Sequence, residues 1–309
     1  MRTLPRRTVL AVPGSSDRFI AKSRGLEVDA VFLDLEDAVA PPAKAEARQR
    51  VVGALTSGEG WRAGLVTVRV NDWTTPWTVA DLSEVVAGAG AHLDAVVVPK
   101  VTGPEQVVAT DLVLTQLERL NGLEPGRIGL EVQIEEARGA LAVAAIAQAS
   151  PRLQSLVFGP GDFMASIGMA TLNVGAQPAG YAADAYHHIH MTILLAARAH
   201  GLQAIDGPYV AIRDREGFWE AATRAAALGY DGKWVLHPDQ VVVGNQVFTP
   251  AEAVLERARR IVTAYREATS AAGGAVGAIV VDDEMVDEAG LKLAEAQLAR
   301  AGQLPGNLP

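Results

Sequence analysis

The 309-residue chain has no cysteine. That removes disulfides, thiolate metal sites and a cysteine nucleophile together, and it is compatible with a cytosolic location. Basic charge is also in short supply. Lys and Arg number 27 against 36 Asp and Glu, a formal net charge of −9. Such a chain offers no general field to nucleic acid or to an anionic membrane, so an anionic ligand must find local basic groups. Long apolar runs are missing as well. The run at 8–12 stops at Pro13 and Gly14, too short for a signal-peptide core or a membrane span. Arg2, Arg6 and Arg7 before it read as a solvated arm. Two glycine signatures are absent. Pro13-Gly14-Ser15-Ser16 stands where a G-x-G-x-x-G turn would follow the first strand, and there is no G-x-x-x-x-G-K-[ST] loop. Neither a dinucleotide site nor a P-loop has support.

What is present is a globular composition, 49% hydrophobic and 20% charged, long enough for one large domain or two ordinary ones. Short β-branched runs alternate with alanine-rich stretches. The pattern predicts strands at 8–12, 30–33, 65–70, 95–99, 128–134, 155–158, 203–205 and 233–236. Helices are predicted between them, at 42–54, 104–120, 136–148, 182–199 and 214–228 among others. Pro42 and Pro104 sit at first-turn positions, and Gly201 and Gly229 follow helix ends. The runs alternate little, as in parallel strands buried on both faces. Eight strand–helix units predict an α/β chain folded as a (β/α)8 TIM barrel, with an open doubly wound sheet as the alternative. The barrel is expected over 1–269, its last helix at 250–267. A glycine-hinged tail is expected at 270–309, with a strand at 278–281 and a helix at 287–301.

The residues just after the strands are polar. Strand two ends in Asp34-Leu35-Glu36-Asp37, strand three in Arg69-Val70-Asn71, strand four at Lys100 and strand five at Glu135. Strand six leads to Asp162, strand seven to Asp206 and strand eight to His237. In a barrel these share the rim that carries active sites. Two carboxylates facing one cavity, Glu135 and Asp162, repel unless a cation joins them, and magnesium suits such a pair. Helix N-caps would equally account for both. Glu131 and Glu136 compete with Glu135; alternation puts Glu131 on the same face, and nearness to the strand end favours Glu135. Arg69, on an apolar strand, needs an anion, either a substrate oxyanion or the acidic segment of strand two. Lys100 has the same two readings, with an ion pair favoured. His187 and His190 share a helix face, but packing explains them better than zinc does.

The ordered set LAVPGSSDRFIAKS, VFLDLEDAVAPPAKAEAR, VRVN, VVVPKV, IEEARGAL, FGPGDF and GKWVLHPDQV resembles the citrate lyase β-subunit and malyl-CoA lyase branch of the HpcH/HpaI aldolase superfamily. The resemblance implies a barrel, a divalent metal (Mg2+, with Mn2+ as the alternative) and carbon–carbon cleavage beside a thioester. It puts the metal on Glu135 and Asp162 and an oxyanion on Arg69. Asp34, Glu36 and Asp37 fall on its supporting acidic segment, Asp37 being counted with the catalytic residues. Arg18 and Lys22 fall on positions that contact coenzyme A, and Lys100 and His237 join the substrate-binding set. The tail GAIVVDDEMVDEAGLKLAEAQLARA is similar to a lid that closes over a neighbouring subunit's site, with Asp287 as acid/base and Asp282 and Asp283 as competitors. The segment 168–185, with Asn173, Gln177 and Tyr181, is expected to shape the pocket. The implied protein is a cytoplasmic homo-oligomer, trimer or hexamer, acting on a small acyl-CoA without nucleic acid or membrane. The expected activity is reversible cleavage of malyl-, β-methylmalyl- or citramalyl-CoA. The alternatives are a malyl-CoA thioesterase and a β-subunit that acts with partner chains.

Overall fold

The structure is a computed structural model that describes residues 4–270, 274 and 276–303. Arg2 and most of the expected glycine hinge lie outside the described residues. The chain divides into two compact units, Met1–Phe248 and Thr249–Pro309.

The first unit holds strands β1 (Thr8–Pro13), β2 (Ala30–Asp34), β3 (Leu65–Arg69), β4 (Ala95–Val98), β5 (Gly129–Ile134), β6 (Leu153–Phe158), β7 (Gln203–Asp206) and β8 (Gly232–Val235). They pair in sequence order, all parallel, and β1 pairs with β8 to close the barrel. The returning helices are α1 (Asp17–Arg24), α2 (Lys44–Thr56), α3 (Thr78–Ala89), α4 (Pro104–Leu120), α5 (Ala137–Ala147), α6 (Pro160–Ile167), α7 (His187–Ala199), α8 (Arg215–Leu228) and α9 (Pro238–Val247). The closed barrel excludes the open sheet. Every residue of β2, β3, β4 and β5 is buried, which is why these runs do not alternate. Inside, Phe32, Val97, Val157, Ile205 and Trp234 belong to one core, and the Phe32 and Trp234 rings lie 4.2 Å apart. A larger apolar layer packs strands against helices.

Three expectations need correction. Arg6 is not solvated: it is 3% exposed and its Nε donates to Glu131 Oε1 at 2.9 Å, while its other nitrogens reach Gln203 and Gln154. The fork of five N–H donors closes the amino end of the barrel by satisfying one buried carboxylate and two amides. Arg7 is not free either; it pairs with Asp29 at 2.8 Å. The eighth barrel helix is α9. The helix expected at 250–267 is α10 (Glu252–Thr269) and belongs to the second unit.

That second unit continues with β9 (Ile279–Val281), β10 (Glu284–Val286) and α11 (Glu288–Arg300). Leu255, Ala258 and Val262 line one face of α10 and share a core with Ala294 and Leu298 of α11, the three- and four-residue spacing of an amphipathic pair. The tail has two strands where one was expected. Asp282 and Asp283, at φ 51° and 63°, form the two-residue turn between them; both residues of such a turn take positive φ, which aspartate tolerates. Among the described residues no helix is long and apolar enough to cross a membrane.

Candidate active site

The carboxyl ends of the strands surround a cavity of ≈ 490 Å³ lined by Asp34, Asp37, Arg69, Gln133, Glu135 and Asp162, with apolar walls that include Phe32, Trp234, Val174 and Pro208. Strand alternation carries Gln133 and Glu135 to the same interior face, and the short loop after β6 sets Asp162 in the first turn of α6.

Arg69 is 7% exposed. Its Nε and Nη2 grip both oxygens of Asp34, at 2.8 and 2.7 Å. Its Nη1 lies 2.9 Å from Glu36 Oε2 and 3.4 Å from Gln133 Oε1. The anion that Arg69 required is therefore, first, the acidic segment of strand two. Burial works against the charge, but Asp34 and Glu36 outweigh it and hold the guanidinium above its ordinary value. Glu36 Oε2 accepts no aligned hydrogen bond.

Lys100 takes a left-handed backbone, φ 51°, which costs a non-glycine residue about 1–2 kcal/mol. That conformation turns its N–H onto Glu135 Oε1 at 2.7 Å and sends its ammonium to Glu36, to Asp37 at 3.2 Å and to within 4.0 Å of Asp162. The favoured ion pair is present. Burial opposes its charge, yet the Glu36 and Asp37 carboxylates hold the ammonium above its usual range. Asp37 reaches the cavity with its side chain 58% exposed; what burial it has raises its carboxyl, but Arg69 and Lys100 bring it below the ordinary value.

Behind the acidic loop lies a buried support. Lys44, 6% exposed, donates to the carbonyls of Leu35 and Glu36 at 2.9 and 2.8 Å. Asn71 donates to Leu35 O at 3.0 Å and is itself held by Asp81, which pairs with Arg48. Lys44→Met should remove two charge-assisted bonds, leaving Leu35 O with Asn71 and Glu36 O with Val39 N alone, and cost about 1–3 kcal/mol. Urea melts check this; a midpoint equal to that of the parent would contradict it.

Glu135 is 1% exposed. Burial pushes its carboxyl well above the usual range, opposed by Arg69 and reinforced by Glu36 and Asp162. A Cβ on Gly159 would collide with Glu135 Oε2 and Gln133 Nε2, so only glycine lets this loop close on the carboxylate. The nearby cations are already engaged with Asp34 and Glu36. Two oxygen donors from adjacent strands, in a chain without thiolates, fit a hard divalent cation that keeps positions for water and substrate. Among the described residues no three His, Asp or Glu side chains form a complete metal cage.

Burial pushes the Glu36 carboxyl up to about 7, against the pull of Arg69 and Lys100. The unfolded chain releases that proton near pH ~4.3. Glu36 therefore contributes full stability below that value and loses it as pH rises through about 7. In chelator, Glu36→Gln should gain stability relative to the parent between about pH 5 and pH 8. Denaturant melts across that range check it; a constant difference would contradict it.

The sequence pattern described as HpcH/HpaI aldolase/citrate lyase matches residues 7–238. The chain belongs to this family. It is 38% identical over 306 residues to an L-malyl-CoA/β-methylmalyl-CoA lyase of Cereibacter sphaeroides, covering 96% of this chain and 95% of that one. It is also 38% identical over 298 residues to a (3S)-malyl-CoA thioesterase of the same species, with the same coverage of 96% and 95%. Among solved structures it is similar to CitE from Mycobacterium tuberculosis in complex with magnesium, acetoacetate and coenzyme A, with TM-score 0.74, 31% identity and coverage of 98% and 100%.

The structure places the remaining expected residues as follows. Arg18 and Lys22 are exposed one turn apart on α1, without an ion-pair partner among the described residues, and do not line the cavity. His237 caps α9, accepting from Asp239 N at 3.2 Å. Asp206 faces away from the interior into a buried group with Lys233 and His190, so it does not join the site. His190 is thus a packing residue, as favoured. Glu131 is engaged by Arg6 and drops out as a metal candidate. In the 168–185 segment Asn173 and Tyr181 are exposed, and Gln177 is used on Asp184 and Ala185; Val174 is the residue of that segment lining the cavity. In the second unit Asp282 lies in the hairpin turn and pairs with Arg260 at 2.7 Å. Asp287 caps α11 through Oδ1.

Proposed function

We propose that the protein is a magnesium-dependent lyase that reversibly cleaves malyl-, β-methylmalyl- or citramalyl-CoA into acetyl- or propionyl-CoA and glyoxylate or pyruvate. The observation that carries this reading is the meeting of Glu135, Asp162 and Arg69 at one cavity on the catalytic rim. Glu135 and Asp162 hold the cation, Mg2+ or Mn2+, which when bound supplies Lewis-acid polarisation of the oxoacid oxygens. The hydroxyl proton passes to water, the hydroxyl oxygen becomes the carbonyl of the 2-oxoacid as the carbon–carbon bond breaks, and the electron pair of that bond passes into the thioester enolate. Arg69, clamped by Asp34 through Nε and Nη2, would offer Nη1, which lies beside Glu36 and Gln133, to the enolate oxygen. Lys100 and Asp37 keep Glu36 and the rim charges in register. Asp287, with Oδ2 unengaged among the described residues, returns a proton to the α-carbon from a neighbouring copy's tail. Arg18 and Lys22 take the phosphates of coenzyme A, and His237 stands on the same rim. The reading carries a cytoplasmic homo-oligomer, trimer or hexamer.

Thioester hydrolysis is the second reading, because the chain is as similar to the thioesterase as to the lyase. Mass spectrometry of the products from malyl-CoA and its homologues, with magnesium present, separates the two. Acyl-CoA plus a 2-oxoacid is the expected outcome. Free CoA plus an intact hydroxyacid would replace the lyase with the hydrolase.

A further inference from the structure

The cavity is polar around Arg69 and Glu135 but apolar beside Asp162. There, one side chain is presented by a loop tied to its neighbour after β7. Residues 173–176 form a tight turn in which Ala176 N donates to Asn173 O at 3.1 Å. Gly175 supplies the positive φ of 82° at the third position, as a type II turn requires. Val174 occupies the exposed corner of such a turn, yet here it is half-buried and lines the cavity. Two contacts fix it. Val210 N donates to Val174 O at 3.3 Å. Gly175 sits so close to the next loop that a Cβ on it would lie 2.5 Å from Pro208 O. The turn cannot retreat without losing both.

Val174 in turn stands over the residue before Asp162. A Cβ on Gly161 would lie 3.7 and 4.0 Å from the two Val174 methyls, ordinary van der Waals contact. The valine is therefore one side chain above the backbone that delivers the carboxylate. Asp162, Val174 and Pro208 all follow β6 or β7, whereas Arg18 and Lys22 follow β1. The two ends of a long acyl-CoA thus have separate sectors of the mouth, and Val174 belongs to the sector of the acid.

We propose that Val174 limits the group carried on the carbonyl carbon of the 2-oxoacid, admitting hydrogen more readily than methyl and so favouring glyoxylate over pyruvate. The identity of the acid rests on the lyase reading; the wall itself does not. A single methyl in an apolar pocket is worth about 10–200-fold in discrimination. Val174→Ala removes two methyls at the wall, and Val174→Leu extends it.

The test is calorimetric binding of glyoxylate and of pyruvate to the magnesium-loaded protein, for the parent and both variants, with condensation rates on acetyl-CoA measured alongside. The preference for glyoxylate should fall about tenfold in Val174→Ala and rise in Val174→Leu. An unchanged ratio of the two affinities in both variants overturns the proposal. A ratio that shifts in opposite directions while no carbon–carbon bond forms supports the wall and removes the lyase reading instead.

Discussion

Asp162→Ala is expected to lower turnover by about a thousandfold or more, the scale of losing a group that stabilises developing charge, while leaving the fold nearly intact. The reason is exposure. The Asp162 side chain is 41% exposed, and its closest cation, Lys100 Nζ, is 4.0 Å away. A pair that open contributes little to stability. Asp162 thus separates function from folding in a way that Glu135, 1% exposed, does not. The measurement is kcat with saturating magnesium beside a thermal melt. Parent-like activity in the variant would remove Asp162 from the metal site, whatever the melt shows.

Arg69→Met is expected to abolish activity and to destabilise the barrel by about 3–5 kcal/mol, the cost of leaving the buried Asp34 carboxylate without its cation and Glu36 with Lys100 alone. Asp34 is 2% and Glu36 3% exposed, so neither can recover much solvation when the guanidinium goes. Arg69→Lys keeps the charge but cannot span both oxygens of Asp34 as the native fork does. It should recover part of the stability and little of the activity. A methionine variant as stable as the parent would show that the acidic segment does not depend on Arg69.

The barrel was legible because its strands are buried on both faces and punctuated by proline and glycine at helix ends. The rim was legible in part. Glu135 and Asp162 follow their strands directly, and the cavity brings them together as position suggested. Asp206 looked equivalent but is not. Ile205 faces the interior core, so alternation turns Asp206 outward, toward Lys233 and His190. The sequence does not say which parity is interior, and one residue of phase decides it. Arg6 failed for another reason: its partner Glu131 is 125 residues away, and nothing local distinguishes a guanidinium that plugs a barrel from one in water. The eighth helix carries a local signal, Pro238 at its first turn, but α10 behind it is longer and amphipathic and reads as a barrel helix equally well. Val174 carries no local signal because its place at the cavity comes from a turn anchored on the β7 loop, a contact with no trace in spacing.

The central claim is that this site makes and breaks a carbon–carbon bond. Its most direct test is the condensation direction: acetyl-CoA and glyoxylate incubated with the protein and magnesium, with malyl-CoA followed by mass spectrometry. The account predicts malyl-CoA that accumulates with time and stops on chelation. Hydrolysis of added malyl-CoA, with none formed from acetyl-CoA and glyoxylate, would contradict it.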